Sequence, residues 1–379
     1  MATEARPQAP VTASSSPDVT LEELQLAARN HSMPLEALQY PITPIGLHYL
    51  LTHFDIPLVD PASWRLTIGG RVRDPVSLTL DNIKERPAVT RAVTLECAGN
   101  GRARLSPRPL SQPWLFEAVG TAEWTGTALR PLLEAAGPLD DAVEVVFAGL
   151  DRGVQGGVEQ QYERSLPLAE ALREEVFLAY AINGQQLPPQ HGFPVRLVVP
   201  GWYGMTHVKW LRSITVVNHP FRGYQQEPAY HVTPSDHELG KPVTRMLPRA
   251  LMVPPGIPDF LSRTRLVDLG RWTIEGRSWS GRGPVVRVEL SVDGGHAWAD
   301  AELGTDVGQF SWRAWRYRWD AVREGEYELC CRATDAAGNV QPLTPPWNAQ
   351  GMCNNEVQRI MVRAGRGLVP VQPPVDGIS

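Results

Sequence analysis

The sequence predicts an α+β protein in which a mixed α/β domain is followed by an all-β sandwich of immunoglobulin type. Three observations lead there. The chain has 379 residues, beyond the length at which one hydrophobic core usually keeps growing, so two domains are expected. From about Pro44 to Pro220 short helical and strand patterns mix without a regular strand–helix–strand repeat and without GxGxxG, which disfavours a dinucleotide-binding sheet. From about Arg271, strand-length runs alternate with turns at intervals of about ten residues. The 35 Pro and 33 Gly suit many turns and short strands. These textures give a disordered N-terminal tail over 1–30, a catalytic domain over 31–235, a linker over 236–270, the sandwich over 271–365 and a C-terminal tail over 366–379.

In the first domain, Trp64–Gly70 reads as a strand with a turn and Leu80–Lys84 as a short helix, with Asp81 favourable in its first turn. Thr125–Gly137 reads as a helix: Ala128, Leu129, Leu132, Leu133 and Ala136 fall three or four apart, and Gly137 can close it. Val143–Phe147 reads as a strand running toward Gly149 and Asp151, Leu166–Leu172 as a short helix, and Phe193–Gly201 as a strand bounded by Pro. Another strand begins at Val208–Leu211. In the second domain the strands are Trp272–Gly276, Val285–Val292, Trp312–Trp319 and Tyr327–Thr334. Asp293–Gly295 and Ala336–Asn339 supply turns.

Several function classes lose support at once. A net charge of −5 without a long basic run argues against nucleic acid as a partner. No apolar run approaches the ~18 residues that a membrane helix needs. The four cysteines are Cys97, Cys330, Cys331 and Cys353. They form neither a CxxC zinc pattern nor a CxxCH haem attachment. The Ala-, Pro- and Ser-rich start has no apolar export segment and no twin arginine, so the cytoplasm is the expected location.

Chemistry concentrates in Val93-Thr-Leu-Glu-Cys-Ala-Gly-Asn-Gly-Arg102. A short β-type run leads into Cys97, and Gly99, Asn100 and Gly101 then break the strand. Cys97 reads either as a small buried side chain or as a reactive thiol whose pKa Arg102 lowers toward the thiolate.

Five blocks in order carry a resemblance: Leu95-Glu-Cys-Ala-Gly-Asn100, Gly120–Gly126, His191-Gly-Phe-Pro-Val-Arg196, Pro200-Gly201 with Val208–Leu211, and Asn339-Val-Gln-Pro342 with Trp347-Asn348. From about Pro41 to Val362 the chain resembles the molybdenum-pterin sulfite oxidase family, which includes plant-type nitrate reductase. The resemblance implies an α+β molybdopterin domain and an immunoglobulin-like domain used for homodimerisation. It implies a molybdenum–molybdopterin cofactor with Cys97 as the protein's metal ligand, since a soft thiolate suits this metal. His53, His191, Arg196 and Lys209 match cofactor-holding positions, where charge-assisted hydrogen bonds suit a phosphate. Asp151 matches an acceptor for pterin N–H groups. Where the family tends to carry Arg, this chain has Thr206, and the neighbouring His207 is a candidate replacement.

Around the metal, Arg102 matches a substrate arginine and Trp114 a pocket tryptophan. Tyr230 matches the active-site tyrosine, with Tyr224 as a rival. Two further arginines expected around an oxyanion are Leu51 and Gln350 here. Losing two charge-assisted hydrogen bonds costs about 3–6 kcal/mol. His48, Arg104, Arg108 and His207 are candidates to compensate. The implied activity is sulfite oxidation to sulfate by oxygen-atom transfer, with no haem in the chain and electrons passed to an external acceptor such as a cytochrome c. The alternative is reduction of an S-oxide, N-oxide or nitrate in a less cationic pocket.

Overall fold

A computed structural model describes residues 13–14, 18–234 and 240–369. The rest of the expected tails lies outside the described residues. The chain forms two compact units, and they interleave along the sequence. One takes the residues up to Met33, Ile42–Met246 and Pro346–Asn354; the other takes Pro34–Pro41, Leu247–Pro345 and the residues from Asn355. No helix among the described residues is long and apolar enough to cross a membrane.

The first unit holds two five-stranded sheets. One orders Gln185–Gln186, Phe177–Ile182, Val119–Ala128 and Ala88–Glu96, with Arg196–Val198 also paired to Phe177–Ile182. The other orders Val76–Leu78, Leu66–Gly70, Leu211–Val217, Glu144–Gln155 and Val158–Pro167. Leu211–Val217 runs parallel to Leu66–Gly70 and antiparallel to Glu144–Gln155. A continuous core draws Ile68, Phe147 and Ile214 from the second sheet and Leu178 and Leu197 from the first, with Leu129, Leu132 and Leu133 from a helix. Burial of that apolar surface is the main drive to form the unit.

Two strands position the site. Ala88–Glu96 begins half exposed and ends in four consecutive buried residues, so the chain enters Cys97 inside the protein. Its partner is Val119–Ala128, with Leu95 opposite Gly120 and Glu96 opposite Val119; the Thr94 and Thr121 hydroxyls lie 2.6 Å apart across the pair. Glu144–Gln155 loses its register against Val158–Pro167 between Ala148 and Arg152. A bulge of this kind re-aims side chains, and this one contains Asp151.

The second unit pairs a four-stranded sheet, Arg249–Met252, Gly270–Trp279, Arg313–Ala321 and Glu302–Leu303, with a six-stranded one. The six-stranded sheet orders Ile257–Pro258, Arg265–Asp268, Gln358–Gly365, Gly325–Asp335, Val285–Ser291 and Ala299–Asp300. Ile274 and Trp315 from one sheet and Val288, Leu329 and Val362 from the other share one core, as the alternating pattern predicts.

Several expectations change. The supposed tail contains a helix, Leu21–Arg29, capped by Thr20 and Glu23 in a reciprocal capping box. Its Leu21 and Leu24 are exposed, so apolar periodicity gave no sign of it; the Thr20-x-x-Glu23 spacing did. The supposed linker contributes the sandwich strands Arg249–Met252 and Arg265–Asp268. At the far end, the Leu368 and Val369 N–H groups donate to Asp268 Oδ1, so the first residues of the C-terminal tail are tied down. The helix expected over Thr125–Gly137 begins only at Leu129, because the residues before it belong to Val119–Ala128. Leu166–Leu172 likewise gives up its start to a strand and is helical over Leu168–Ala171. The strand expected over Phe193–Gly201 shrinks to Arg196–Val198, and the next begins at Leu211. At the two helices sheet pairing outweighs local propensity, whereas the Phe193–Gly201 run keeps as strand only the residues that pair with Phe177–Ile182.

Gly126 sits where Val119–Ala128 loses register against Phe177–Ile182. A Cβ there would meet the Leu178 carbonyl oxygen at 2.0 Å, and that oxygen belongs to a paired strand. Gly126→Ala therefore destabilises the first unit by about 1–3 kcal/mol through overpacking, read as a lower urea midpoint by circular dichroism.

Candidate active site

Cys97 begins a turn that Asn100 holds in shape. The Asn100 amide donates to Glu96 Oε1 at 3.0 Å and to the Phe116 carbonyl at 2.9 Å, and its oxygen accepts from the Ala118 N–H. Gly101 adopts φ +89°, which glycine reaches without strain. A side chain on Gly99 would strike the Arg102 guanidinium at 2.5 Å. These contacts bring Cys97 and Arg102 together, both buried.

Burial pushes the Cys97 thiol pKa up; Arg102, the Gly99 N–H and the Trp114 indole pull it down less strongly. The expected activation by Arg102 is thus real in direction but outweighed. A free thiol here stays protonated, and a thiolate needs a stronger cation than Arg102. Among the described residues, no cluster of three or more His, Cys, Asp or Glu side chains could hold a metal ion.

Two cavities meet at Cys97. The first is a histidine-rich cleft lined by His48, His53, Asp151, His191, Arg196 and Lys209. Arg196 donates to the His191 and His207 carbonyls and lies over the Trp124 ring. Lys209 Nζ donates to the Leu51 carbonyl at 2.9 Å and the Gln190 carbonyl at 3.1 Å, and also lies over the Trp210 ring. It is half-buried between these partners. Three buried polar atoms of this cleft have no partner: His48 Nε2, Asp151 Oδ1 and Arg196 Nε. Orphaned polar atoms are rare in native interiors. Three around one cleft fit a group that brings both kinds of partner: Arg196 Nε can donate to a phosphate, while Asp151 Oδ1 and His48 Nε2, whose ring donates from Nδ1 to the Tyr49 carbonyl, can accept from ring N–H groups.

His207 lines the cleft but is already committed. Its Nδ1 accepts from the Val199 N–H, so its Nε2 is the protonated nitrogen and donates to the Trp202 carbonyl. Burial lowers its pKa to about 3, so it stays neutral and supplies no replacement cation. Thr206 is fully buried, with its hydroxyl turned to the Met205 sulfur, and it lines neither cavity.

The second cavity, of about 340 Å³, is lined by Arg102, Trp114, Leu51, Gln350, His53 and Tyr230 among others. Tyr230 Oη lies 2.6 Å from His53 Nε2. Burial raises the Tyr230 pKa and lowers that of His53 to about 4, so the phenol donates to a neutral imidazole. The backbone of Tyr230 has φ +59°, a left-handed conformation that non-glycine residues seldom hold. Tyr224 lines neither cavity, which separates the two rivals. Sequence reasoning missed Tyr162. Its ring lies 4.9 Å from that of His53 and its hydroxyl donates to the Met205 carbonyl. Only its alternation along Val158–Pro167 hinted at an inward face.

Leu51 and Gln350 both line the second cavity. Gln350 has a different task from an oxyanion contact: its Nε2 donates to the Pro228 carbonyl and its Oε1 accepts from the His231 N–H. It thereby brackets Tyr230. Its own carbonyl accepts from Arg102 Nε at 3.1 Å, while the other Arg102 nitrogens donate to the Gln112 carbonyl and to the Met352 sulfur. The four candidate compensators do not enter. His48 and His207 line the first cavity only, Arg104 and Arg108 line neither, and Arg108 pairs with Glu23 at 2.9 Å.

Burial lowers the pKa values of His48, His53, His191 and His207 from 6.5 to about 4, 4, 2 and 3. Between pH 6.5 and 4 the unfolded chain binds protons that the fold refuses. Their contribution to stability is therefore full above about pH 6.5 and falls with acidification. In anion-free protein each histidine removes about 2 kcal/mol by pH 5 relative to pH 7. Urea midpoints measured across that range check it.

Residues 53–225 match the family described as the oxidoreductase molybdopterin binding domain, and residues 258–365 match the Mo-co oxidoreductase dimerisation domain. The chain is 36% identical over 349 residues to sulfite oxidase of Gallus gallus, covering 84% of this chain and 72% of that protein. It is 35% identical to mitochondrial sulfite oxidase of Mus musculus, spanning 85% of this chain but 61% of that protein's length. Nitrate reductase [NAD(P)H] of Hordeum vulgare is 33% identical, over 88% of this chain and 41% of that protein. Among solved structures, the sulfane dehydrogenase SoxCD of Paracoccus pantotrophus superposes with a TM-score of 0.78 at 25% identity, over 93% of this chain and 88% of that one. With both domains matched in order and the buried Cys97 turn where two cavities meet, the chain belongs to the sulfite oxidase family of molybdopterin oxidoreductases.

Proposed function

We propose that the protein transfers oxygen atoms between water and a small oxyanion or oxide substrate, with Cys97 ligating molybdenum and the histidine-rich cleft holding the pterin. The observation that carries this reading is the set of three orphaned polar atoms around the cleft that opens at Cys97. Arg196, Lys209, His191 and His53 would hold the phosphate side. Asp151, at its bulge, would accept from pterin N–H groups. When bound, the molybdenum–pterin group supplies two-electron oxygen-atom exchange.

The chain's own residues orient the substrate and handle protons. Arg102 presents a buried cation to the second cavity, and Trp114 walls it. Tyr230 holds its proton on Oη, against His53 Nε2, and can lend it to an oxygen leaving or entering the site. The net reaction supported by the relatives is sulfite plus water giving sulfate, two protons and two electrons. The electrons leave one at a time to an external carrier such as a cytochrome c. No haem is part of this proposal; the sequence has no CxxCH motif. The match of residues 258–365 to a dimerisation domain supports a homodimer.

A second reading rests on the cavity beside Arg102. Leu51 is apolar, and the Gln350 amide is occupied by Pro228 and His231. Among the described residues Arg102 is thus the one Lys or Arg in that cavity's lining, which favours an uncharged S-oxide or N-oxide accepting two electrons and two protons to release water.

Metal analysis of protein from a molybdenum-replete host should find molybdenum, and Cys97→Ser should lose turnover even where the pterin keeps its metal. Protein without molybdenum, or undiminished turnover in Cys97→Ser, rejects the assignment. A panel run in both directions, sulfite with ferricyanide and methyl phenyl sulfoxide with reduced viologen, separates the two readings. Leu51→Arg should raise kcat/KM for sulfite at least about tenfold, because a charged hydrogen bond contributes about 1.5–3 kcal/mol. No change would show that cavity charge does not select the substrate.

A further inference from the structure

We propose that the N-terminal segment Leu21–His31 is a wall of the substrate cavity and sets the size of substituent the substrate carries, an inference that rests on the cavity beside Arg102 being the substrate site. Glu23, Leu26 and Asn30 fall three and four residues apart and so share one face of the segment. Each has a separate task. Glu23 is fully buried and pairs with Arg108 at 2.9 Å, which fastens the helix to Arg108–Pro109. Leu26 and Asn30 line the cavity itself.

Asn30 ties together the two loops that carry the site. Its Oδ1 accepts from the Thr52 N–H at 2.7 Å, between Leu51 and His53. Its Nδ2 donates to Gln112 Oε1 at 3.0 Å, and the Gln112 carbonyl accepts from Arg102 at 3.1 Å. Asn30 is buried, so these bonds are made away from water, where losing a partner is costly. Arg29 adds a bond to the Phe54 carbonyl, and residues His31 and Leu50 exchange backbone hydrogen bonds. The segment is therefore a fixed surface.

The lining mixes polar and apolar side chains, and Leu26 is one of the apolar ones. Leu51, Phe54, Leu110, Val154 and Met352 also line the cavity. Its volume of about 340 Å³ counts the space beside Cys97 that the metal group would take as well as the space beside Leu26. A substrate that fills the latter carries an apolar organic substituent beside its oxide group, and Leu26 meets that substituent. Asn30 acts through Gln112 and Thr52 and is a positioning residue for Arg102.

Methanesulfonate and benzenesulfonate share head and charge and differ only in substituent, so titrating both calorimetrically into the full-length holoenzyme tests the wall. The larger anion should bind wild type more tightly. Leu26→Trp should weaken benzenesulfonate about tenfold relative to methanesulfonate, and Leu26→Ala should leave methanesulfonate within about twofold. An unchanged ratio in a Leu26→Trp protein that melts like wild type overturns the proposal, as does tighter binding of methanesulfonate by wild type. Should Leu26→Trp not fold, Leu26→Ala decides: a shift in the ratio supports the wall and none refutes it.

Asn30→Ala should weaken both probes by a similar factor, about tenfold. Asn30→Asp should restore much of that, since a carboxylate still accepts from the Thr52 N–H and from a turned Gln112 amide. Equal, unrecovered loss in both Asn30 variants rejects the positioning role. The probe ratio does not depend on turnover. A protein without molybdenum or oxygen-atom transfer refutes the function, while the ratio still decides the wall.

Discussion

Burial of the polar groups around Cys97 is the constraint on which the rest of the site depends. It raises the Cys97 thiol and Asp151 carboxyl pKa values and lowers those of His48, His53, His191, Arg196 and Lys209. Most of these groups are thereby driven toward neutrality, although Asp151 and Lys209 each favour the other's charge. Such a cluster is costly in a folded protein unless its charges and donors meet partners. The backbone carbonyls of Leu51, Gln190, His191 and His207 satisfy part of it. The orphaned atoms of His48, Asp151 and Arg196 mark the part left over. A pterin phosphate of the proposed cofactor would answer the cations, and a metal cation would answer a thiolate that Arg102 alone does not maintain.

Local signals carried much of this to the sequence. The turn after Cys97 was legible because Gly99, Asn100 and Gly101 break a β run, and the structure gives each a task there. The sandwich was legible because strands such as Val285–Ser291 alternate between turns. The helix Leu129–Ala136 was legible in type but not in start, since its predecessors Thr125 and Thr127 are claimed by a sheet partner far along the chain. Long-range returns left no local trace. Pro346–Asn354 lies in the sequence between strands of the sandwich, yet it belongs to the first unit and brings Gln350 and Met352 to the second cavity beside Arg102. Leu21–Arg29 was hidden for a different reason. Its inward face is Glu23, Leu26 and Asn30, two of them polar, so burial there does not follow hydrophobicity.

Gln350 shows how a departure from a family pattern can be read physically. The resemblance calls for a cation at that position, and a residue-by-residue comparison records its loss as weaker oxyanion binding. The structure adds a gain. The amide bonds to residues on either side of Ala229-Tyr230, and Tyr230 holds the left-handed backbone that such support makes tenable. A guanidinium has donors only and could not accept from the His231 N–H. Restoring the arginine would therefore add charge to the cavity while releasing one side of the Tyr230 loop. Leu51 carries no such second duty in its side chain, since Lys209 binds its carbonyl. Of the two replaced positions, Leu51 is the one at which charge can be changed without also moving the phenol, and the substrate preference of this cavity is most directly tunable there.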